Sequence, residues 1–281
     1  MESTPLVSVL ITAYNREKYI NEAIESVLAS TYTNFEIIIV DDCSKDKTFE
    51  IAKKYELKDN RIKLYQNKSN LGQFPNRNKA AEYANGKYIK YLDSDDTIYP
   101  HGLEVFVNMM ERFPDAGFGT EHFTQFVSTP FPIIHTPREA YISHFSGTGL
   151  LLRGPSATII NTNIFKENGG FLQSASVNGD TEFNMRIAAK YPIISLPPAL
   201  VWWRQHPNQE FLLGYKNNTY LKFDFYLKHN AINSIDSPLT NDEREKLTKK
   251  IKKEQRNIIF RFLMRLKFRK AYMAFKYSKI I

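Results

Sequence analysis

Two short apolar runs in this chain each end in aspartates, and that pattern restricts its folds more than any other feature. The run FEIIIV, Phe35 to Val40, passes into Asp41-Asp42, and the run ending in YLDSDD, Tyr88 to Leu92, passes into Asp93-Ser94-Asp95-Asp96. Short runs rich in Ile, Val and Tyr predict strands covered on both faces, as in a parallel sheet. In open α/β sheets the carboxyl ends of such strands line the crevice that receives ligands. An Asp-x-Asp there suits a hard divalent cation, which takes oxygen ligands and bridges to phosphate. Residues i and i+2 of an extended segment share a face, so Asp93 and Asp95 are expected to converge on one ligand while Asp96 points away.

The surrounding pattern alternates strand and helix. Leu6 to Thr12 is an apolar run, and Ile20, Ala23, Ile24, Val27 and Leu28 then recur at helical spacing. A helix is expected over Asp46 to Tyr55, a short strand over Ile62 to Tyr65, and a polar loop in NKSNLGQFPN. A helix over Arg77 to Asn85 with Gly86 as its stop leads to the strand Tyr88 to Leu92. This order implies right-handed crossovers and a mostly parallel sheet. Beyond it, Pro100 opens a helix with Leu103, Phe106, Val107 and Met110 inward, and Ala116 to Glu121 reads as a strand. The pattern loosens from His122 to Gly154. Pro155 to Asn161 is expected to be extended, a helix to follow Gly179, and Ile193 to Trp203 to return to the sheet.

Charge divides the chain. The formal net charge is +8, yet residues from Asp242 onward hold 14 Lys/Arg against 4 Asp/Glu, leaving 24 against 26 before them. A nearly neutral body with a basic tail argues against nucleic-acid binding, whose footprint should run across the body. The lone Cys43 excludes an internal disulfide and fits a reducing compartment. The first residues, MESTPLVSVLI, lack a signal-peptide pattern, and no apolar run reaches membrane-spanning length, so a cytoplasmic protein is expected.

Each motif has a chemical and a plain structural reading. Tyr14, at the exit of the first strand, either stacks on a base or covers the sheet end. Asp42 either accepts the N3–H of uracil, which would favour uridine over cytidine, or caps a turn. Three carboxylates within Asp93 to Asp96 are costly without a cation or hydrogen-bond donors. Arg77 reaches a phosphate or a carboxylate such as Asp93, or lies in solvent. GGF (Gly169 to Phe171) and NGDTEFNMRIA (Asn178 to Ala188) flank a candidate acceptor pocket. Asp180 stands at a helix start, where an N-cap is the plain alternative, and Glu182 points to another side of that helix. In VWWRQHP, Arg204 and His206 share one side of an extended run, and His206 is a ligand for manganese, a phosphate contact or a structural histidine.

Taken in order, VSVLITAYN, EIIIVDDCSKDKT, NLGQFPNRNKAAEYANGKYIKYLDSDD, GGF, GDTEFNMRIA and WRQH resemble glycosyltransferase family 2, the inverting sugar-nucleotide transferases of the GT-A fold. The resemblance runs over roughly residues 6–208. It implies an α/β architecture with a Rossmann-like, mostly parallel sheet flanked by helices. Residues 1–208 would form the GT-A domain, with a nucleotide-binding half (1–96) and an acceptor-side half (97–208), and residues 209–281 a helical basic appendage. It further implies that Thr12, Tyr14 and Asp42 hold the uracil and ribose of a UDP-sugar. Asp93 would contact the ribose or sugar, and Arg77 would orient Asp93 or the donor. Asp95 would hold Mg²⁺ or Mn²⁺ on the diphosphate, His206 would be a further metal or diphosphate contact, and Asp180 the general base. The partners implied are the nucleotide-sugar and a glycan or lipid-linked acceptor, in cell-surface polysaccharide synthesis. Two departures stand out. Gly179-Asp180 replaces the usual acidic pair, and the Gln-x-x-Arg-Trp motif of processive synthases is missing, which favours single additions.

Two other functions remain open on sequence grounds. A nucleotidyltransferase should carry a Gly- and Arg-rich phosphate loop after its first strand, and TAYNREKY has no glycine. An inactive nucleotide-binding scaffold would retain the same carboxylates without turnover. In the tail, Ile258, Phe262 and Leu266 line one helical face, with Arg261, Arg265 and Arg269 in a neighbouring row. That amphipathic helix either packs on the body with its arginines in water or attaches peripherally to an anionic membrane.

Overall fold

Alternation of the apolar side chains is what builds the two cores. In the computed structural model, which describes residues 4–124, 127–206, 209 and 219–278, strands β1 (Val7–Ala13), β2 (Phe35–Asp41), β3 (Ile62–Gln66) and β4 (Tyr88–Tyr91) alternate with helices α1 (Ile20–Leu28), α2 (Thr48–Glu56) and α3 (Gln73–Glu82). Val7, Val9, Ile11, Ile37 and Ile39 face a core shared with α1. Leu10, Ile38 and Val40 face the opposite core, shared with Phe74 and Ala80 of α3. The period of two therefore sends successive residues to opposite, equally apolar layers, each fully buried Ile or Leu contributing roughly 1.5–3 kcal/mol.

These strands pair in parallel in the order β3-β2-β1-β4. The register sets Ala13 opposite Asp41, so Tyr14 and Asp42 leave the sheet side by side. The last β1–β4 pair is Leu10 with Tyr91, which brings Asp93 out at the level of Thr12. Past it come β5 (Thr97–Ile98), α4 (Gly102–Glu111), β6 (Phe118–Glu121), β7 (Ile133–His135), α5 (Pro137–Ser143), β8 (Thr158–Asn161), α6 (Thr162–Glu167), α7 (Gly179–Ala188), β9 (Ile193–Leu196) and β10 (Val201–Trp202). The sheet continues β4-β8-β6-β9-β7, with β8 antiparallel to both neighbours and β6 parallel to β9. The return expected over Ile193 to Trp203 splits. β9 joins the main sheet, whereas β10 leaves it and pairs antiparallel with β5.

Helix α3 departs from expectation at both ends, and Pro155–Ala157 forms a 3-10 turn, so the extended chain expected from Pro155 starts only at Thr158. Helix α3 begins at Gln73, four residues before Arg77, because Gly72 adopts φ 89° and its carbonyl already accepts from Asn76 N. Arg77 consequently lies inside the helix on its buried side. The helix also ends before Gly86, at Glu82, in a tightened turn where Tyr83 N donates to Ala80 O. Gly86 serves β1 instead. A Cβ there would stand 2.5 Å from Ser8 N, and its own N–H donates to Ser8 Oγ at 2.8 Å.

The C-terminal part comprises α8 (Thr219–Asn233), α9 (Asn241–Met264) and α10 (Phe268–Ser278). Ile232, Leu239 and Ile251 join the core that holds Tyr141 and Phe183. Arg138 pairs with Glu243, and Lys250 Nζ donates to the carbonyls of Phe145 and Ser146. The single helix expected to carry both Ile258 and Arg269 is broken. Leu266 adopts φ 53° between α9 and α10, so the apolar and arginine rows turn a corner there. Among the described residues no helix is long and apolar enough to cross a membrane.

Candidate functional site

The loop after β4 divides its carboxylates between two groups of partners. Asp93 turns toward α3, where Arg77 Nη2 donates to its Oδ1 at 2.5 Å, and its backbone N–H donates to Ser156 Oγ. Asp95 turns the other way. Its Oδ2 meets Arg16 Nε at 3.2 Å and His206 Nε2 at 2.9 Å. The expected convergence of both carboxylates on one point is thus replaced by two neighbouring ion pairs. Asp96 is buried, and its Oδ1 accepts from Arg204 N. Burial pushes its carboxyl up, Asp93 and Asp95 add to the rise, and a hydrogen bond with Ser156 opposes it.

Arg77 is 3% exposed, which for a guanidinium demands a counter-charge. Burial pulls it down, but the Asp93 carboxylate outweighs that and holds it above its ordinary value, with Asp180 contributing. Asp180 is itself raised, first by burial and further by Asp93, against the opposing Thr181 N–H and Arg77. Arg77, Asp93 and Asp180 therefore form one electrostatic group. Packing explains why. Phe74 of α3 lies against Phe171 at 5.3 Å, and a Cβ on Gly179 would meet the Phe74 ring at 2.7 Å, so α7 starts hard against α3. Asp180 does not act as an N-cap. Asn178 holds that position, and Asp180 Oδ1 accepts from Thr181 N at 2.7 Å. Glu182 looks elsewhere, pairing with Arg186, which also donates to the carbonyls of Asn168 and Gly170 and so holds the GGF turn.

On the β1–β2 side, Asp42 is 2% exposed and organises the following loop. Its Oδ1 accepts from Asn67 Nδ2 and Leu71 N, and its Oδ2 from Gly72 N. A carboxylate offers about four lone-pair directions, so among the described residues one direction remains for an outside donor. Asp41 closes the turn below, accepting from Ser44 N and Gln66 Nε2. Thr12 is partly covered and Tyr14 is exposed at the crevice edge.

Arg204 and His206 are brought to the site by β10. Arg204 Nε donates to Asp95 O at 2.8 Å, and its guanidinium lies over Tyr19 and Trp202. His206 stacks on Tyr19 at 4.9 Å. Tyr19 and Trp202 to His206 line a cavity of about 450 Å³. The strand is tied down from β6, where Glu121 Oε1 accepts from Leu200 N at 2.6 Å and Val201 N at 2.8 Å. Arg153 and the fully buried Lys90 balance the Glu121 charge. Burial lowers the Lys90 ammonium to about 8 against the pull of Glu121, Asp93 and Asp96.

Among the described residues no three His, Cys, Asp or Glu side chains gather as a ready metal-binding set. The donor chemistry nonetheless fits a divalent cation that keeps waters and phosphate oxygens. Asp95 offers a hard carboxylate, and the neighbouring His206 nitrogen a second donor.

Arg16, Ser156, Lys90 and Glu121 were not singled out from sequence. Lys90 did carry a signal, as a lysine in the middle of a buried strand. Ser156 carried none, since 63 residues separate it from Asp93.

Comparisons with known proteins bear on the family and the fold. The family model for Glycosyl transferase family 2 matches residues 8–168. An uncharacterized glycosyltransferase of Haemophilus influenzae is 30% identical over 228 residues, covering 74% of this chain and 68% of that one. The Escherichia coli UDP-Glc:alpha-D-GlcNAc-diphosphoundecaprenol beta-1,3-glucosyltransferase WfgD is 43% identical over 106 residues, 37% of this chain and 41% of WfgD. Among solved structures, S. aureus TarS 1-349 in complex with UDP-GlcNAc superposes with a TM-score of 0.66 at 21% identity, over 86% of this chain and 70% of that one. The mannosyltransferase PcManGT from Pyrobaculum calidifontis, solved with GDP-Man and Mn²⁺, gives 0.63 at 18% identity, over 80% and 64%. At such identities these two structures speak for the fold.

Proposed function

The chain belongs to glycosyl transferase family 2, and from that premise we propose that it makes single additions, moving a sugar from a UDP-sugar to a hydroxyl of a glycan or lipid-linked acceptor with inversion at the anomeric carbon. The observation that carries this reading is the group of Asp180, Arg77 and Asp93 beside the strand ends, with Asp180 raised by burial. A part-buried carboxylate that is more basic than a free aspartate, yet still reachable, is a better proton acceptor near neutral pH.

In this reading Asp180 takes the proton from the acceptor hydroxyl as its oxygen bonds to the anomeric carbon. The bond from that carbon to the diphosphate breaks on the opposite face, and its electron pair leaves with UDP. Thr12 and Tyr14 hold the base and ribose at the end of β1, and Asp42 uses its remaining lone pair on uracil N3–H. Arg77 holds Asp93 toward the ribose and sugar. Asp95 and His206 would hold Mg²⁺ or Mn²⁺, which when bound supplies electrostatic stabilisation to the leaving diphosphate. Arg16 and Arg204 set two guanidiniums on the same side of the crevice, paired with Asp95 and Glu22 respectively.

A relative named for UDP-Glc and a diphosphoundecaprenol acceptor, and a fold neighbour solved with UDP-GlcNAc, support uridine and a lipid-linked acceptor. A neighbour solved with GDP-Man and Mn²⁺ supports the cation and makes guanosine the competing base. Polysaccharide synthesis from cytoplasmic nucleotide-sugars, peripheral attachment to the cytoplasmic face through the basic C-terminal region, and a catalytic domain ending near residue 208 complete the proposal. Residues 207–208 and 210–218, around that boundary, lie outside the described residues.

The test is a screen of UDP- and GDP-sugars, with and without Mn²⁺, read by melting temperature and donor hydrolysis. A cation-dependent rise with UDP-sugars and their slow hydrolysis is expected. Preference for GDP-sugars would overturn the base assignment. Binding without hydrolysis or transfer would instead identify a nucleotide-binding scaffold.

A further inference from the structure

We propose that the corner between α9 and α10 is a bilayer-contacting surface that docks the protein on anionic lipid. This rests on the peripheral attachment included in the proposed function and names the surface that makes it; its experiment reads lipid binding apart from sugar transfer.

The inward face of α9 ends early. Ile251 and Gln255 are its buried residues, and from Phe260 to Phe268 every residue except Phe262 is exposed. Met264 is 69%, Leu266 74% and Phe268 63% exposed, with Phe260 and Tyr272 similarly open. Scattered exposed apolar residues are ordinary, but several large ones crowded at one corner mark a contact surface. The corner is firmly built. Leu266 N donates to Leu263 O and Lys267 N to Phe262 O, while Ala271 and Ala274 pack α10 inward. The left-handed position at the turn, φ 53°, is one that glycine fills most readily, yet it holds an exposed leucine.

Charge identifies the occupant. Arg261, Arg265, Lys267 and Arg269 interleave with the apolar tips, and no Asp or Glu follows Glu254. A second copy of the chain would set these cations against their own kind. An anionic bilayer neutralises them at its headgroups and accepts the apolar tips just below, where aromatic side chains also settle. The contact proposed is a peripheral one, with the apolar tips entering just below the headgroups; among the described residues no helix is long and apolar enough to cross a membrane.

The full-length protein is tested by co-sedimentation with phosphatidylcholine vesicles, with and without phosphatidylglycerol, at low salt. Binding to the anionic vesicles is expected to be at least about tenfold stronger and to fall with added salt. The variant Met264→Gln/Leu266→Gln/Phe268→Gln is expected to lose about tenfold in vesicle binding with its melting temperature and nucleotide-sugar response unchanged. A second variant, Arg265→Gln/Arg269→Gln, should lose the preference for phosphatidylglycerol. A Phe268→Trp reporter should be quenched by brominated lipid. Failure of the wild type to bind anionic vesicles, or equal binding by all variants, overturns the proposal. A dimer in sedimentation equilibrium that the triple variant dissociates, without vesicle binding, also overturns it and assigns the face to a second copy. The nucleotide-sugar response is read separately, so loss of docking and failure of the transferase reading are distinguishable.

Discussion

Arg77 of α3 and Asp93 at the end of β4 meet at 2.5 Å, and this ion pair joins the helix to the loop that carries the candidate metal ligand. The arginine is almost wholly buried, whereas Asp93 keeps a third of its side chain exposed. Removing the buried partner is the more damaging change, because it leaves a half-desolvated carboxylate beside Asp180 with nothing to balance either.

Arg77→Met should therefore cost on the order of 2–4 kcal/mol in urea unfolding, near the range for breaking a buried pair. Arg77→Lys should recover part of that and still weaken donor binding, since an ammonium is a point charge and lacks the guanidinium fork. Unchanged stability in Arg77→Met would mean that the pair is not formed in solution.

Asp180→Asn should lose transfer by about 10²–10⁴-fold with donor affinity retained. Its stability carries a sign. A folded pKa above the unfolded value of 3.8 means that the protonated group's contribution is full below that pH and is lost as pH rises through the folded pKa. At pH 7 Asp180→Asn should thus melt at least as high as the wild type, with the advantage vanishing toward pH 4. A variant less stable at pH 7 would contradict the raised pKa. The acidic limb of kcat should lie above the range of a free aspartate.

For Asp95→Asn the expected outcome is loss of the Mn²⁺-dependent part of UDP stabilisation, with the metal-free part retained. Thermal shifts with UDP, alone and with Mn²⁺, check this. An intact Mn²⁺ effect in the variant would remove Asp95 from the cation site.

Gly179→Ala tests whether packing positions the base. Its new Cβ would lie 2.7 Å from the Phe74 ring, and overpacking of this kind costs roughly 1–3 kcal/mol. The shift of α7 should lower kcat about tenfold or more through Asp180, leaving the UDP-induced thermal shift nearly unchanged. Full activity would show that the α3–α7 contact does not set the geometry.

Glu121→Gln removes the charge between Lys90 and Arg153 and should cost roughly 1–3 kcal/mol. Faster hydrogen exchange at Leu200 and Val201, which donate to this carboxylate, would locate the effect at β10. Protection equal to the wild type at those amides would argue against the tether.

The sequence by itself determined the order of β1 to β4, the two-sided burial of their strands, and the delivery of Asp42, Asp93 and Asp95 to one edge. Those are local properties, since a period of two and an apolar run ending in carboxylates suffice to state them. The inward face of α4 was equally legible, as Leu103, Phe106, Val107 and Met110 are all buried. The start of α3 was not, because Gly72 sets it through a positive φ that composition does not reveal. Only the tertiary structure decided which carboxylate meets which cation. Asp93 goes to Arg77, Asp95 goes to Arg16 and His206, and Glu121 holds β10 across 79 residues of chain. Such pairings depend on how helices stack over the sheet, and no periodicity records that. The tail shows the same division: its charge and apolar residues could be counted in advance, but the corner at Leu266 that gathers them on one surface exists only once α10 folds back onto α9.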